Sequence, residues 1–393
     1  MTNTAAAGDG ASNGSADLAR MMVPSDANVA GNVHGGTIMQ LMEEAAGVAA
    51  HRYFASNNFS TNHVAALLSR VERLSFQHPI YVGDVAKIKA TVVFTSQHSV
   101  AVCVQVRAER MPWSNTGSSR GKVGSETVCN RALLWLVGIL VPSTGRIVDT
   151  SSCRTRAVAP PFPIPSDKDS WAWKQYQEAW QLYEARKLLN GSNSQLNLLD
   201  SGRTAHEAGL WSTPNNQSAL VAGTPDHSAV EIAQVMLPSD CVNSCGMVSG
   251  GVVMKLMDNA CGIVAVRHCG SAVVTVAVAE VNLLSPVMLG DVVMVRAKAI
   301  FTSRKSMEIA VSVRAERHVI DQTTGWMHPE IVDITDPAIF AFVALPWKKD
   351  NPSALPMKPL QLTTQHDQDI FEKRKIQYNQ RRSMGGRPVV AKL

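Results

Sequence analysis

The chain has 393 residues, 45% apolar and 6% aromatic, which is enough for two domains with cores of their own, and no apolar run reaches the length of a membrane span. Its net charge of +5 is small and spread out, which gives no sign of nucleic-acid binding but suits an anionic small ligand. Seven cysteines without a CxxC pair argue for reduced thiols rather than a disulfide framework, and Cys241 and Cys245 lack the second ligand pair that a zinc site needs.

From the N-terminus, residues 1–18 are rich in Ala, Gly, Ser, Asn and Asp and read as disordered. They lack the basic start and apolar core of a signal peptide, so the expected compartment is the cytoplasm. The stretch from Gly31 to Arg52 follows, GNVHGGTIMQLMEEAAGVAAHR. After the pair Gly35-Gly36, Ile38, Leu41, Met42, Ala45 and Ala49 recur at helical spacing, and the helix they predict is apolar nearly all round, hence buried. Strands come next: Val85–Phe94 and Ala101–Arg107 alternate and are β-branched, Gly83-Asp84 marks the turn before them, and the apolar run Ala132–Val141 reads as a buried strand. The prolines between Ala159 and Pro165 mark a domain edge, Trp171–Leu189 reads as a helix, and the polar run Asn190–His227 as linker.

Then the pattern starts again. Pro238-Ser239-Asp240 repeats Pro24-Ser25-Asp26, and Gly246–Arg267, GMVSGGVVMKLMDNACGIVAVR, repeats Gly31–Arg52. Pro286-Val287 with Gly290-Asp291 repeats Pro79-Ile80 with Gly83-Asp84, Phe301-Thr302-Ser303 repeats Phe94-Thr95-Ser96, and Val313–Arg317 repeats Val106–Arg110. So many matches in one order, about 210 residues apart, mean two copies of one α+β domain, each a central helix wrapped by an antiparallel sheet. A proline cluster and a helical stretch, Asp369–Arg382, trail the second copy as they trail the first, and Tyr183-Glu-Ala-Arg-Lys187 is echoed by Tyr378-Asn-Gln-Arg-Arg382.

Each buried helix carries a carboxylate two turns in, Glu43 in one copy and Asp258 in the other, and a buried acid needs compensation, so both are candidates for chemistry. The glycine pair at the helix start either makes a tight turn or lets a ligand approach free N–H groups at the positive end of the helix dipole. Asn32 can polarise a carbonyl, hold a water or cap the turn, and His34 is an acid–base candidate or a hydrogen-bonded turn residue. Aligning the glycine pairs sets Met247 against Asn32, Ser249 against His34 and Asp258 against Glu43, so the copies differ where chemistry would occur.

These motifs resemble the acyl-CoA thioesterases with tandem hotdog domains: Ala27–Gly36, ANVAGNVHGG; Met254–Asp258, MKLMD, with Gly262–Ala265 and Arg267–Cys269; and Phe301–Ile309, FTSRKSMEI. The resemblance covers about residues 20–150 and 229–345. It implies two hotdogs packed sheet to sheet as an intramolecular pseudo-dimer, with boundaries at 1–18 (disordered), 19–152 (hotdog 1), 153–228 (trailing helix and linker), 229–346 (hotdog 2) and 347–393 (trailing helix and basic tail). It further implies metal-free and cofactor-free hydrolysis of fatty acyl-CoA, of the palmitoyl-CoA hydrolase type, to fatty acid and CoA. Asn32 and Asp258 are then the catalytic pair, Asp258 as general base or as nucleophile, with Gly35 and Gly36 at the carbonyl and His34 accessory. Close relatives carry Val-His-Gly-Gly in the second domain too, where this chain has Val248-Ser249-Gly250-Gly251, and a Met247 thioether cannot replace an amide, so Glu43 and Met247 mark an inactive pseudo-site. Ser303, Arg304, Lys305 and Ser306 form the basic turn expected to meet the CoA phosphates; the counterpart turn is Ser96-Gln97-His98-Ser99. The family further implies a homotrimer of six hotdogs, without nucleic-acid partners or membrane insertion. Two other readings are an acyl-CoA-binding sensor or scaffold without catalysis, and a hotdog dehydratase using His34 with Glu43.

Overall fold

The computed structural model describes residues 14–56, 63–113, 123–141, 156–191, 221–242, 246–321, 323–345 and 357–383. In the first copy, strand β1 (Ser15–Met21) leads through a 3-10 turn at Pro24–Asp26 to helix α1 (Gly35–Ala55), followed by strands β2 (His63–Phe76), β3 (Val85–Thr95), β4 (Ser99–Glu109) and β5 (Glu126–Val141). Helix α2 (Trp171–Gly191) and the short helix α3 (Pro225–Ser228) connect to the second copy. That copy has β6 (Val230–Val235), a 3-10 turn at Pro238–Asp240, α4 (Gly250–Cys269), β7 (Val273–Asn282), β8 (Val292–Thr302), β9 (Ser306–Ile320), β10 (Met327–Asp333) and β11 (Ala338–Ala344), and α5 (Gln365–Ser383) trails it.

The strands run β1-β3-β4-β5-β2 in the first copy and, mirrored across the joint, β7-β11-β9-β8-β6 in the second, with β10 added beside β9. Two hotdog domains therefore share one chain as a pseudo-dimer, but they join edge to edge rather than sheet to sheet as expected, because β2 pairs with β7 in a single 11-stranded sheet. The register at that joint is itself two-fold: Val71 faces Val281, and Leu74 faces Val278, the counterparts of Val281 and Val71 in the repeat. A ladder between strand edges leaves no open edge at the joint, where an unpaired strand would otherwise invite association.

Helices α1 and α4 lie on the same face of this sheet and pack against each other. Small residues let them sit close to it: Ala45, Ala46, Ala49 and Ala50 in α1, Ala260, Cys261 and Ala265 in α4, all buried in one continuous core. The helices cross at their second glycines. A Cβ on Gly36 would lie 2.8 Å from the Lys255 Cα, and one on Gly251 would lie 2.7 Å from the Gln40 Cα, so only glycine permits this approach. This crossing near both N-termini brings the third turn of each helix to the start of the other.

The opposite face of the sheet receives the trailing helices. Tyr183 of α2 packs on Phe94 with ring centroids 5.4 Å apart, and Tyr378 of α5 packs on Phe301 at 5.3 Å, which gives the echo between the two segments its physical meaning. The attachments differ otherwise: α2 adds the Arg186 guanidinium 4.1 Å over the Trp135 ring, whereas α5 adds a buried ion pair, Arg374 to Glu308, at 2.7 Å.

Two sequence boundaries move. Strand β1 starts at Ser15, inside the segment expected to be disordered, because Ser15–Met21 completes the ladder along β3 from Thr91 to Val85. Helix α2 runs to Gly191 and Thr224 caps α3, so both ends of the expected linker are ordered; residues 192–220 lie outside the described residues, as do 1–13 and the basic tail after Ser383.

Candidate active site

The helix crossing brings Asp258, in the third turn of α4, to the first turn of α1. The Gly36 N–H donates to the Asp258 Oδ2 at 2.7 Å, and the Thr275 hydroxyl on β7 donates to Oδ1 at 2.7 Å. His34 is the N-cap of α1: its Nδ1 accepts from the Gly36 N–H at 3.0 Å and lies 3.3 Å from the Asp258 Oδ2. Gly35 closes the arrangement, since a Cβ there would lie 2.9 Å from that same oxygen and 3.2 Å from the Thr275 Oγ1.

Asp258 is 1% exposed. Burial raises its pKa above the usual carboxylate range, while His34 and the donors Thr275 and Gly36 pull it back down. A fixed carboxylate with raised basicity, ringed by donors, is suited to taking a proton from a water. Beside it runs a narrow cleft of about 50 Å³ lined from both copies, by Asn32, Gly35, Ile38, Phe76 and Asn130 of the first and Val274, Thr275 and Val276 of the second.

The pseudo-symmetric position is built from other groups. Ser249 caps α4, accepting from the Gly251 N–H at 3.1 Å and donating its own hydrogen to the Glu43 Oε2 at 2.7 Å. Where Thr275 supports Asp258, the corresponding residue is Leu68, whose Cδ2 would lie 2.7 Å from a Cβ on Gly250. Where Asn32 bridges to Tyr81, Met247 bridges to Met288, so the pairing of Asn32 with Met247 holds in space as in sequence. Burial pushes the Glu43 carboxyl up to about 7, with Glu44 adding to the rise and Ser249 and Gly251 opposing it.

Known proteins match both copies of the repeat. The thioesterase superfamily matches twice, at residues 30–112 and 245–320. The cytosolic acyl coenzyme A thioester hydrolases of Homo sapiens and Mus musculus are 33% identical over 361 and 365 residues, spanning 92% of this chain and 82% of theirs. The chain belongs to the acyl-CoA thioesterase family. Among solved structures, an apo-hexameric acyl-CoA thioesterase is similar over 42% of this chain and 98% of its own (24% identity, TM-score 0.33). A putative oleoyl thioesterase from Lactobacillus plantarum is similar over 86% and 98% (10% identity, TM-score 0.48).

Within this thioesterase the residues singled out from sequence take distinct places. Asn32, Gly35 and Thr275 line the cleft, Asp258 is held behind Gly35 and Thr275 by bonds from Gly36 and Thr275, and Glu43 and Met247 line a separate cavity. Gly36 differs from expectation: its amide is already bonded to Asp258, and the absence of its side chain serves the helix crossing, so the amide positions the carboxylate. As the first residue of α1, Gly35 keeps an N–H with no partner inside the helix. Ser303, Arg304, Lys305 and Ser306 form the β8–β9 turn, with Ser303 and Ser306 Oγ atoms 2.7 Å apart, and none of the four lines the cleft. Thr275 lies in none of the repeated motifs; at the spacing of the Pro286/Pro79 match it stands against Leu68, and that polar-for-apolar difference is the signal in the sequence that finds it.

Proposed function

We propose that this thioesterase hydrolyses fatty acyl-CoA at one composite site per chain, with Asp258 as the general base. The observation that carries the reading is the Asp258 carboxylate of the second copy, held by the Gly36 amide of the first and by Thr275 beside a cleft that Asn32 also lines. Asp258 takes a proton from a water as its oxygen attacks the thioester carbonyl. The C–S bond then breaks, and the proton passes to the leaving CoA sulfur, giving fatty acid and CoA. The Gly35 N–H and the Asn32 amide receive the oxygen that gains charge. Because water is activated by a carboxylate, the scheme uses neither metal nor cofactor. General-base assistance of this kind contributes about 10²–10⁴-fold.

Both carboxylate oxygens already accept a hydrogen bond, which fixes the group and favours the base over the nucleophile. Arg304 and Lys305, exposed on their turn, are the cations we assign to the CoA phosphates. Among the described residues no helix is long and apolar enough to cross a membrane, and the relatives above are named cytosolic, so we place the protein in the cytoplasm. The assembly we propose is a trimer, and a monodisperse monomer by light scattering at micromolar concentration would overturn it.

The deciding assay is palmitoyl-CoA with a thiol reagent. Release of free CoA is expected. Binding without release would favour a sensor, and hydration of an enoyl-CoA would favour a dehydratase.

A further inference from the structure

The cavity at Glu43 is larger than the cleft at Asp258. It encloses about 340 Å³, within the range of small-molecule pockets, against about 50 Å³ beside Asp258. Its walls combine apolar side chains, Leu67, Leu68 and Ile139 from the first copy and Val253, Leu283 and Val287 from the second, with polar groups at Ser69, Ser285 and Arg156. It cannot repeat the chemistry proposed for Asp258. Met247 replaces the amide of Asn32, and Leu68 replaces the hydroxyl of Thr275.

Among the described residues, Arg156 is the one Arg or Lys that lines this cavity. Arg156 pairs with Ile139 as an isolated β-bridge at the end of β5, its side chain is exposed, and it makes no ion pair with any described residue. The hairpin beside it, Ser96-Gln97-His98-Ser99, adds neither Arg nor Lys, whereas the equivalent turn of the other copy carries Arg304 and Lys305. One guanidinium at the rim of a cavity with apolar side chains along both walls matches an apolar chain ending in one carboxylate, which it can hold through two parallel hydrogen bonds. Among the described residues, the pyrophosphate and 3′-phosphate of a CoA ester would meet that one guanidinium alone.

We propose that this cavity is a non-catalytic binding site for a free fatty acid, with the carboxylate on Arg156 and the chain between the two copies. The ligand is of the class that the proposed hydrolysis releases, so the site gives the enzyme a means of sensing its product. Binding here does not depend on Asp258 being the catalytic base, because no residue of the cleft takes part.

Photolabelling of the full chain with a diazirine-bearing palmitate tests the proposal, because trypsin separates the two sites. The peptide 53–70 carries Leu67 and Leu68 of the cavity, and the peptide 74–87 carries Phe76 and Ile80 of the cleft. Saturable labelling of 53–70 is expected, with its half-saturating concentration raised at least about tenfold by Arg156→Ala and restored in large part by Arg156→Lys, while labelling of 74–87 stays unchanged. Arg156 is exposed, so its removal leaves the fold intact, and the second peptide serves as the internal control. The proposal is overturned by labelling confined to 74–87, by labelling of 53–70 that Arg156→Ala does not weaken, by equal labelling with the uncharged fatty-alcohol probe, or by palmitoyl-CoA competing at 53–70 more strongly than palmitate.

Discussion

Gly36 and Asp258 stand 222 positions apart in the chain and meet through a 2.7 Å hydrogen bond, the amide of one helix donating to the carboxylate of the other. Neither copy of the repeat contains this pair. A composite site follows from a helix crossing, and each element of it makes a separate prediction.

Asp258→Asn keeps shape and volume but removes the basic lone pair, so turnover should fall at least about a hundredfold with little change in KM. Asn32→Ala should lower turnover likewise. Glu43→Gln, at the matched position of the other copy, should leave turnover within a few-fold of the parent. Steady-state kinetics beside thermal melts decide the matter: equal losses in Asp258→Asn and Glu43→Gln would falsify the single-site assignment.

Thr275→Val removes a donor that lowers the Asp258 pKa, so that pKa, already raised by burial, should rise further. A base must be deprotonated to act. The acid limb of the kcat/KM profile should therefore move to higher pH in Thr275→Val, with turnover at the plateau also reduced. An unmoved acid limb would show that Thr275 does not tune Asp258.

The Glu43 carboxyl titrates at about 7 in the fold against an ordinary 4.5. A folded-state pKa raised in this way contributes stability that is complete below the unfolded value and is lost as pH rises through about 7. Glu43→Gln removes that dependence. Relative to the parent it should gain up to about 3 kcal/mol between pH 4.5 and pH 8, as the shift converts at about 1.4 kcal/mol per unit. Urea unfolding at the two pH values measures the difference, and a gain that is the same at both would remove Glu43 as its source.

Glycines of α1 and α4 should divide into two classes. Gly36→Ala and Gly251→Ala push a methyl into the backbone of the opposing helix and should destabilise by about 1–3 kcal/mol, with loss of activity, because the crossing sets the position of Asp258. Gly47 and Gly262 face open space within the same helices, so alanine there should stabilise by about 0.5–1 kcal/mol and leave turnover unchanged. Denaturant midpoints for the four variants check this, and a similar loss at Gly47 or Gly262 would sink the crossing argument.

Much of the fold was legible in the chain itself. The repeat determined that there are two like domains, and apolar spacing after each glycine pair located α1 and α4. Alternation located β3 and most of β4, the repeat carried both over to β8 and β9, and the Tyr183/Tyr378 echo located the trailing helices that pack on Phe94 and Phe301. These are local signals, because side-chain periodicity follows backbone geometry within a few residues. The mismatch of Asn32 with Met247 also marked, without coordinates, which of two similar positions keeps polar groups.

The tertiary structure decided what depends on distance between copies. β1 reads as a polar tail because a strand paired along one edge needs little apolar patterning of its own, and only the ladder with β3 shows it to be ordered. The part played by Gly36 depends on the approach of Lys255, that of Thr275 on the reach of β7 to Asp258, and the cavity at Glu43 on where two helices and the β2–β7 joint leave space. No spacing along one chain encodes these contacts, since they arise where segments about 200 residues apart are pressed together by a shared core.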